Sequence, residues 1–231
     1  MKISTGSALF DQLLGGGFDP GCITTIFGPA ASGKTSLALC ACAHVPPHKK
    51  IVYIDTEGSF SLERFKQLAG PTYKEKLAQI LIYKPSSFKE QKDAFAKLEN
   101  VVDKTTHLII LDSVAMLYRL EIGQTKNVYE VNRELGMQLA LLMQISRKRN
   151  IPALITNQVY QDFEDKTKLS MVGGDIMRYS SKTLIEFQIL GKGVRRAILR
   201  RHRFLRDGNK ITFRIVDQGF EEADYSSPNG S

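Results

Sequence analysis

The stretch GPAASGKTS, residues 28–36, decides the fold class of this 231-residue chain. It follows the apolar run CITTIF and leads directly into KTSLALCACA, a stretch with helical character. The spacing G-x-x-x-x-G-K-[ST] is met by Gly28, Gly33, Lys34 and Thr35. In such a loop the backbone N–H groups surround a phosphate, and the N-terminus of the following helix points at it. The sequence therefore predicts a phosphate-binding loop (P-loop) between a strand and a helix.

The side chains of this loop have separate predicted tasks. Lys34 is expected to reach the β- and γ-phosphates of a bound nucleotide, and the Thr35 hydroxyl is expected to bind Mg²⁺. The alternative is a chance match in an ordinary strand-to-helix turn, which is disfavoured because strand, spacing and helix occur together. We therefore expect ATP and Mg²⁺ as cofactors. The predicted nucleotide-binding segment comprises Gly28, Pro29, Ala30, Ala31, Ser32, Gly33, Lys34, Thr35 and Ser36.

Composition indicates a soluble protein with a single core. A chain of this length with 42% hydrophobic residues suits one domain better than two. Cys22, Cys40 and Cys42 lie in apolar strand or helix patterns, which predicts reduced thiols in a cytoplasm. No apolar stretch approaches the roughly 20 residues of a membrane span, and the N-terminus lacks the apolar block of a signal peptide. We predict a cytoplasmic protein with a core domain at 1–220 and a flexible tail at 221–231.

Short β-branched runs alternate with longer helical stretches over most of the chain. Strands are predicted at 22–27, 51–54, 80–83, 108–111 and 153–156, and helices at 33–43, 61–69, 87–101 and 127–149. The strands lack in–out alternation, so they predict an α/β fold with a mainly parallel central sheet flanked by helices. After residue 180, TLIEFQIL, RRAILRRH and ITFRIV predict antiparallel strands at the sheet edge. Ligands of parallel sheets bind at the carboxyl ends of the strands.

Acidic and amide side chains follow three of these strands. Asp112 ends LIILD and is predicted to hold Mg²⁺ through a water. Asp55 and Glu57 follow a second strand, and Glu57 is our choice for the base that orients a water. Asn157 and Gln158 close a third strand with amides that can donate to a phosphate oxygen. Each alone could be ordinary loop chemistry, but their placement at three strand ends predicts a hydrolytic site.

Six segments of the chain resemble, in order and spacing, the ATPase core of the RecA/RadA recombinase family. They are STGSALFDQLLGGGFDPGCITTIFGPAASGKTS, YIDTEGSFSLERF, LIILDSVAMLYR, ITNQVY, VGGDIM and GVRRAILRRHR. The most specific string is D-T-E-G-x-F-x-x-E-R, and the resemblance runs from about Ser4 to Gly219. Within the family the chain looks closest to the archaeal paralogues of the recombinase. The resemblance implies a RecA-like P-loop NTPase fold.

The resemblance also implies roles for individual residues. Glu57 would be the catalytic carboxylate, Asp112 the second acidic group and Gln158 the sensor of the γ-phosphate. Arg64 would lie against the adenine, where a guanidinium plane stacks well on an aromatic base. An ordinary charge on a helix surface is the competing interpretation of Arg64.

A basic run indicates a nucleic-acid partner. The net charge is +8, and residues 192–210 hold eight Lys or Arg against a single Asp. Such a run suits a phosphate backbone, although a solvated strand face is the alternative. The primary predicted contacts to single-stranded DNA are Lys192, Arg195, Arg196 and Arg200. Two loops implied by the resemblance, about 119–128 and 160–172, add lesser contributors, namely Lys126, Lys166 and Lys168.

Arg201 and Arg203 have a third possible role. They resemble a K-x-R pair that, in RecA-like ATPases, reaches the phosphates of a neighbouring subunit. Alternate residues of a strand share one face, so both could point at one nucleotide, with His202 packed on the other side. The sequence leaves open whether these arginines act in trans or on DNA.

The chain departs from the full-length recombinases at its N-terminus. The core begins at residue 4, without the N-terminal helical domain and the Phe-x-x-Ala hook that docks on the next subunit. We therefore expect a homodimer or small oligomer rather than a long filament joined by that hook. The predicted partners are single-stranded DNA and a recombinase or other recombination proteins, with no membrane.

These features predict an ATP-binding, weakly ATP-hydrolysing protein that binds single-stranded DNA and assists homologous recombination and DNA repair. One alternative is an ATP-dependent protein-interaction module with little DNA role. A KaiC-like signalling ATPase is another; it shares the early STG and LLGGG pattern but fits DTEGSF and ER less well.

Overall fold

A twisted sheet forms the centre of the molecule. The computed structural model describes residues 1–161 and 169–225, and within them the sheet has ten strands. They are β1 Ile23–Gly28, β2 Lys50–Asp55, β3 Ile80–Tyr83, β4 Thr106–Asp112, β5 Ala153–Gln161, β6 Leu169–Met171, β7 Thr183–Gly191, β8 Val194–Arg201, β9 Lys210–Val216 and β10 Gly219–Glu222. Their order is β10-β9-β8-β7-β1-β5-β4-β2-β3, with β6 pairing to β5. Strands β7, β1, β5, β4, β2 and β3 are parallel, whereas β8, β9 and β10 extend one edge in antiparallel fashion.

Helices cover both faces of the parallel part. They are α1 Ala8–Leu13, α2 Lys34–Ala43, α3 Leu62–Ala69, α4 Tyr73–Ala78, α5 Phe88–Val101, α6 Ala115–Gln124, α7 Val128–Arg149 and α8 Gly174–Ser180. One core packs α1, α2 and α3 against the sheet, and a second packs α5, α6, α7 and α8 against the opposite face. Central strands are therefore buried on both sides, which explains their continuous apolar runs. In the part of the chain described, no helix is both long enough and apolar enough to cross a bilayer.

The longest helix, α7, shows how the sequence sets its limits. The Asn127 side chain accepts a hydrogen bond from the N–H of Glu130 at the start, and Asn150 ends the helix in a left-handed conformation. Val128, the first residue of the helix, is 43% exposed. The buried stripe consists of Val131, Leu135, Leu139, Leu142 and Ile145.

The predicted elements are confirmed, and the elements that the sequence did not predict are mostly short. Every predicted strand and helix is present, with boundaries that differ by at most two residues except at β5, which runs on to Gln161. Helices α1, α4 and α8 have only six or seven residues, too few to show a helical period. Helix α6 is longer but lacks a clear apolar stripe, so the pattern did not indicate it.

The C-terminal boundary differs from the prediction, because the segment 221–225 is hydrogen-bonded to the sheet. Glu221 and Glu222 belong to β10, and the N–H of Ala223 donates to the carbonyl of Thr212 at 2.9 Å. The Tyr225 hydroxyl donates to a main-chain carbonyl of β7 at 3.0 Å. A boundary after residue 220 is therefore too early; the rest of the predicted tail, 226–231, lies outside the described residues.

Candidate nucleotide-binding site

The P-loop joins the carboxyl end of β1 to the start of α2, and both of its glycines are required by geometry. A Cβ at Gly28 would lie 2.4 Å from the carbonyl oxygen of Phe187 in the neighbouring strand. Gly33 has φ +105° at the N-cap of α2, a conformation that side chains disfavour, and a Cβ there would meet Ile215 at 2.9 Å. The loop can therefore bring its backbone close to a ligand at the start of a ten-residue helix.

The ammonium of Lys34 is enclosed by the loop. The side chain is buried, and Nζ donates to the carbonyls of Gly28 at 3.0 Å and Pro29 at 2.7 Å. Burial lowers the pKa of Lys34 below its usual value, and the charges of Asp112 and Glu57 partly oppose this shift. The cation is thus held by neutral carbonyls, which an anionic phosphate can replace.

Asp112 lies at the tip of β4 and is almost fully buried. Its carboxylate accepts hydrogen bonds from the hydroxyls of Tyr53 at 2.7 Å, Ser59 at 3.0 Å and Thr156. Burial, followed by the charge of Asp112, raises the pKa of Tyr53 well above its usual value, so this hydroxyl remains a donor. Three donors compensate the burial of a carboxylate and fix its position.

Sequence reasoning missed these three hydroxyl donors. A usable signal was present for Tyr53 and Thr156, because both precede a predicted site residue by one or two positions on a strand of the site. Ser59 gave no such signal, since it is brought to Asp112 by the turn after β2. That turn is shaped by Asp55, whose carboxylate accepts from the N–H groups of Ser59 at 2.9 Å and Phe60 at 3.2 Å.

Glu57 and Gln158 meet at the rim of the cleft. Glu57 is exposed, and its Oε1 accepts from Gln158 Nε2 at 2.9 Å and from the Ser113 hydroxyl. The Oε1 of Gln158 in turn accepts from Arg119 Nη1 at 3.4 Å. The predicted base and the predicted γ-phosphate sensor are therefore in direct contact. Asn157, the residue before Gln158, is instead buried, and its amide donates to the carbonyl of Val172 at 2.8 Å.

The cleft between these groups fits a nucleoside triphosphate with Mg²⁺. Its volume is about 320 Å³, within the size range of small-molecule sites. The hydroxyl of Ser32, inside the P-loop, is buried and has no hydrogen-bond partner among residues 1–161 and 169–225. A buried unpaired donor beside a shielded cation is the chemistry expected where a phosphate oxygen binds. Thr35 and Asp112 both line the cleft and offer the oxygen ligands that Mg²⁺ prefers.

Arg64 ties α3 to the C-terminal strands. Its Nη2 donates to the carbonyl of Val216 at 2.7 Å, and Nη1 donates to Asp217 O at 3.1 Å and to Gln67 Oε1 at 2.9 Å. The preceding residue, Ile215, lines the cleft. Arg64 therefore positions one wall of the cleft, and its contact with adenine stays a prediction.

Alternation along β8 separates the two adjacent arginines of the basic run 192–210. Arg195 lies opposite Phe213 of β9, on the face that packs against α1 and α2. Arg196 lies opposite Thr212, on the other face. Because side chains alternate along a strand, the two guanidinium groups point to opposite sides of the sheet.

Arg195 consequently contacts the P-loop. Its Nε donates to the carbonyl of Ala31 at 3.1 Å, its Nη1 donates to that of Gly193 at 2.9 Å, and its side chain lines the cleft. The sequence grouped Arg195 with the predicted DNA-binding residues, whereas the structure separates it from Arg196 and places it at the cleft beside the P-loop.

The other basic residues assigned to DNA have several settings. Lys192 is exposed in the turn between β7 and β8, and Lys126 is exposed between α6 and α7. Arg200 is exposed, but its Nε donates to Glu186, which offsets part of its charge. Outside the described residues lie Lys166 and Lys168.

Arg201 and Arg203 lie at the opposite end of the sheet from the P-loop. Arg201 Nη1 donates to the carbonyl of Arg178 at 2.6 Å, and Arg203 Nη1 donates to Cys22 Sγ at 3.3 Å, next to the amino end of β1. Contact with a neighbouring subunit's phosphates stays a prediction. His202 is packed, as predicted: its side chain is 1% exposed and lies beside Asp19.

Comparison with known protein families identifies the family of this chain. The Rad51 family model matches residues 1–223. The chain belongs to the Rad51 family. Its mainly parallel sheet with antiparallel C-terminal strands is the RecA-like fold, as predicted.

Relatives match over nearly their whole length. The chain is 39% identical to the DNA repair and recombination protein RadB of Thermococcus kodakarensis, over 96% of this chain and 100% of that protein. It is 38% identical to the RadB of Methanobrevibacter smithii, over 94% of each chain. A crystal structure of the RadB recombinase superposes with a TM-score of 0.81 at 37% identity, covering 96% of this chain and 100% of that one. The predicted similarity to archaeal paralogues of the recombinase is thereby confirmed.

Proposed function

We propose that this chain binds Mg²⁺-ATP in the cleft above β1 and hydrolyses it slowly. The observation that carries this proposal is the buried ammonium of Lys34, held by the carbonyls of Gly28 and Pro29. Phosphate oxygens would replace these carbonyls and strengthen the interaction, because charge-assisted hydrogen bonds are stronger than neutral ones. Thr35 and Asp112 would hold Mg²⁺, which neutralises phosphate charge when it is bound.

Hydrolysis would depend on Glu57, whose exposed carboxylate at the cleft rim can orient a water and accept its proton. One of its oxygens already accepts from Gln158 and Ser113. Both hydrogen bonds are on Oε1, so the other carboxylate oxygen can accept a hydrogen bond from a water. Gln158 is suited to the sensor role because its amide can exchange the Glu57 oxygen for a γ-phosphate oxygen.

We further propose that the chain binds single-stranded DNA and assists recombination and repair beside a recombinase. Membership of the Rad51 family and similarity to DNA repair and recombination proteins support this role. The residues that suit the DNA backbone are the exposed Lys192 and Lys126, together with Arg196 and, less strongly, the paired Arg200. A homodimer or small oligomer is the proposed assembly, and Arg201 and Arg203 would serve it if they reach a neighbour's nucleotide.

Filter binding of labelled single-stranded DNA tests this function, measured with and without Mg²⁺-ATP across a salt series. We expect retention at low salt, a steep loss as salt rises, and a change on adding ATP. Double-stranded DNA of the same length serves as the reference. Absence of retention at the lowest salt, with and without ATP, would refute the DNA role.

A second candidate is an ATP-dependent protein-interaction module. The observation that favours it is Phe204, which is 80% exposed next to Arg203 in the connection between β8 and β9. Large exposed aromatic side chains flanked by arginine are typical anchors of protein interfaces. This candidate predicts ATP binding without DNA retention, so the same filter assay separates the two. The KaiC-like alternative is not carried forward, because the matching family is Rad51.

A further inference from the structure

The turn between β7 and β8 brings one arginine over the phosphate loop. Lys192 and Gly193 have φ angles of +51° and +74°, and this tight turn starts β8 next to the P-loop. The Nη1 of Arg195 donates back to the carbonyl of Gly193, which directs the side chain along the turn. Its Nε then reaches the carbonyl of Ala31 across 164 positions of sequence.

The Arg195 guanidinium keeps donors for a ligand. Of its five N–H groups, two have hydrogen-bond partners among the described residues, the carbonyls of Ala31 and Gly193. The side chain lines the cleft, and its Cδ lies 3.8 Å from the position that a Cβ on Gly33 would occupy. Three donors therefore remain close to the backbone that is expected to surround the phosphates.

Arg195 keeps the charges that line the cleft in balance. The charged side chains that line it, within the described part of the chain, are Lys34, Arg195, Glu57 and Asp112. Two cations thus balance two anions, and removing Arg195 would leave a net negative lining. Mg²⁺-ATP itself carries a net negative charge, so that lining would repel it.

We propose that Arg195 binds the phosphates of the nucleotide held in the P-loop of its own chain. Arg196, its neighbour on the opposite face, belongs instead with the residues proposed to bind the DNA backbone. This inference rests on the proposed ATP binding, and it divides the basic run 192–210 between two ligands. Arginine suits the role because its fork can bind a carbonyl and a phosphate oxygen at the same time.

Matched variants separate this inference from its alternatives. Arg195→Ala removes the whole guanidinium, whereas Arg195→Gln keeps an N–H donor for the Ala31 carbonyl and removes the charge. Arg196→Ala is the control with the same charge change on the other face. Lys34→Ala is the control for the cleft itself. Each variant is tested by thermal unfolding without nucleotide, by calorimetric titration with Mg²⁺-ATP, and by retention of single-stranded DNA without nucleotide.

We expect both Arg195 variants to lose about tenfold or more in ATP affinity, as removal of a charge-assisted contact does, with DNA retention unchanged. Arg196→Ala should keep ATP affinity within about twofold and weaken DNA retention at low salt. An Arg195→Gln variant that binds ATP like the wild type would overturn the inference, because Arg195 would then only position the loop. Loss of DNA retention in Arg195→Ala with unchanged ATP affinity would also overturn it. Normal ATP binding in Lys34→Ala would instead refute the cleft as the ATP site, which is a separate failure.

Discussion

The carboxyl edge of the parallel strands and the antiparallel strands β8 to β10 use charge in different ways. At the carboxyl edge, side chains from separate strands converge, and each charged group has fixed partners: three hydroxyls on Asp112 and two carbonyls on Lys34. On β8 the arginines are adjacent in sequence but lie on two faces. Parallel strands concentrate function at one edge, whereas alternation along a single strand disperses a basic run.

The largest effect should come from Lys34→Ala. Because this variant removes the ammonium enclosed by the P-loop, we expect ATP affinity to fall by about 100-fold or more, in line with the loss of charged hydrogen bonds in a buried site. Calorimetric titration with Mg²⁺-ATP measures it. Thermal unfolding should stay cooperative, and a variant that binds ATP within about twofold of the wild type would show that the converging edge is not the ATP site.

Glu57→Gln should act on turnover and spare binding. The amide keeps the size of the side chain but cannot accept the proton of a water, so turnover should fall by about 100-fold or more. Phosphate release under single-turnover conditions measures the rate. Ser113→Ala is the companion variant; it frees Glu57 from one hydrogen bond and should leave turnover equal or higher. Equal turnover in Glu57→Gln and the wild type would remove Glu57 from the role of base.

On β8 and the turn before it, the variant to test is the double change Lys192→Glu with Arg196→Glu. It should weaken binding of single-stranded DNA by about tenfold or more at low salt, because each reversed charge repels the phosphate backbone. Arg200→Gln should have a smaller effect, since Glu186 already offsets its charge. Filter binding across a salt series measures both. A larger loss from Arg200→Gln than from the double variant would contradict the assignment of surfaces.

The smallest expected effect is on stability. It compares the loss of one tyrosine hydroxyl in each region. Tyr53→Phe removes a buried donor to Asp112 and should lower the free energy of unfolding by about 1–3 kcal/mol. That loss corresponds to a melting temperature lower by several degrees, at about 2–4 °C per kcal/mol. Tyr225→Phe removes a peripheral bond to Leu190 and should cost less than about 1 kcal/mol. Equal shifts in melting temperature would show that the carboxyl edge is held no more tightly than the C-terminal region around Tyr225.

The same contrast explains what could be predicted from the sequence. Strand β1, the P-loop and helix α2 form a local unit, so spacing alone predicted their order. Asp112, Glu57 and Gln158 were predicted at one edge because parallel strands end together. Contacts between residues distant in sequence gave no local signal: the Arg195 bond to Ala31, the Arg64 bonds to the β9–β10 turn and the Ser59 bond to Asp112 depend on tertiary packing.

The central claim is that a bound nucleoside triphosphate draws the Lys34 ammonium away from the carbonyls of its own loop. A crystal structure with Mg²⁺ and a non-hydrolysable ATP analogue tests it most directly. We predict that Lys34 Nζ leaves Gly28 O and Pro29 O for the β- and γ-phosphate oxygens, with Thr35 on the metal. An analogue bound elsewhere, with Nζ still on those two carbonyls, would contradict the account.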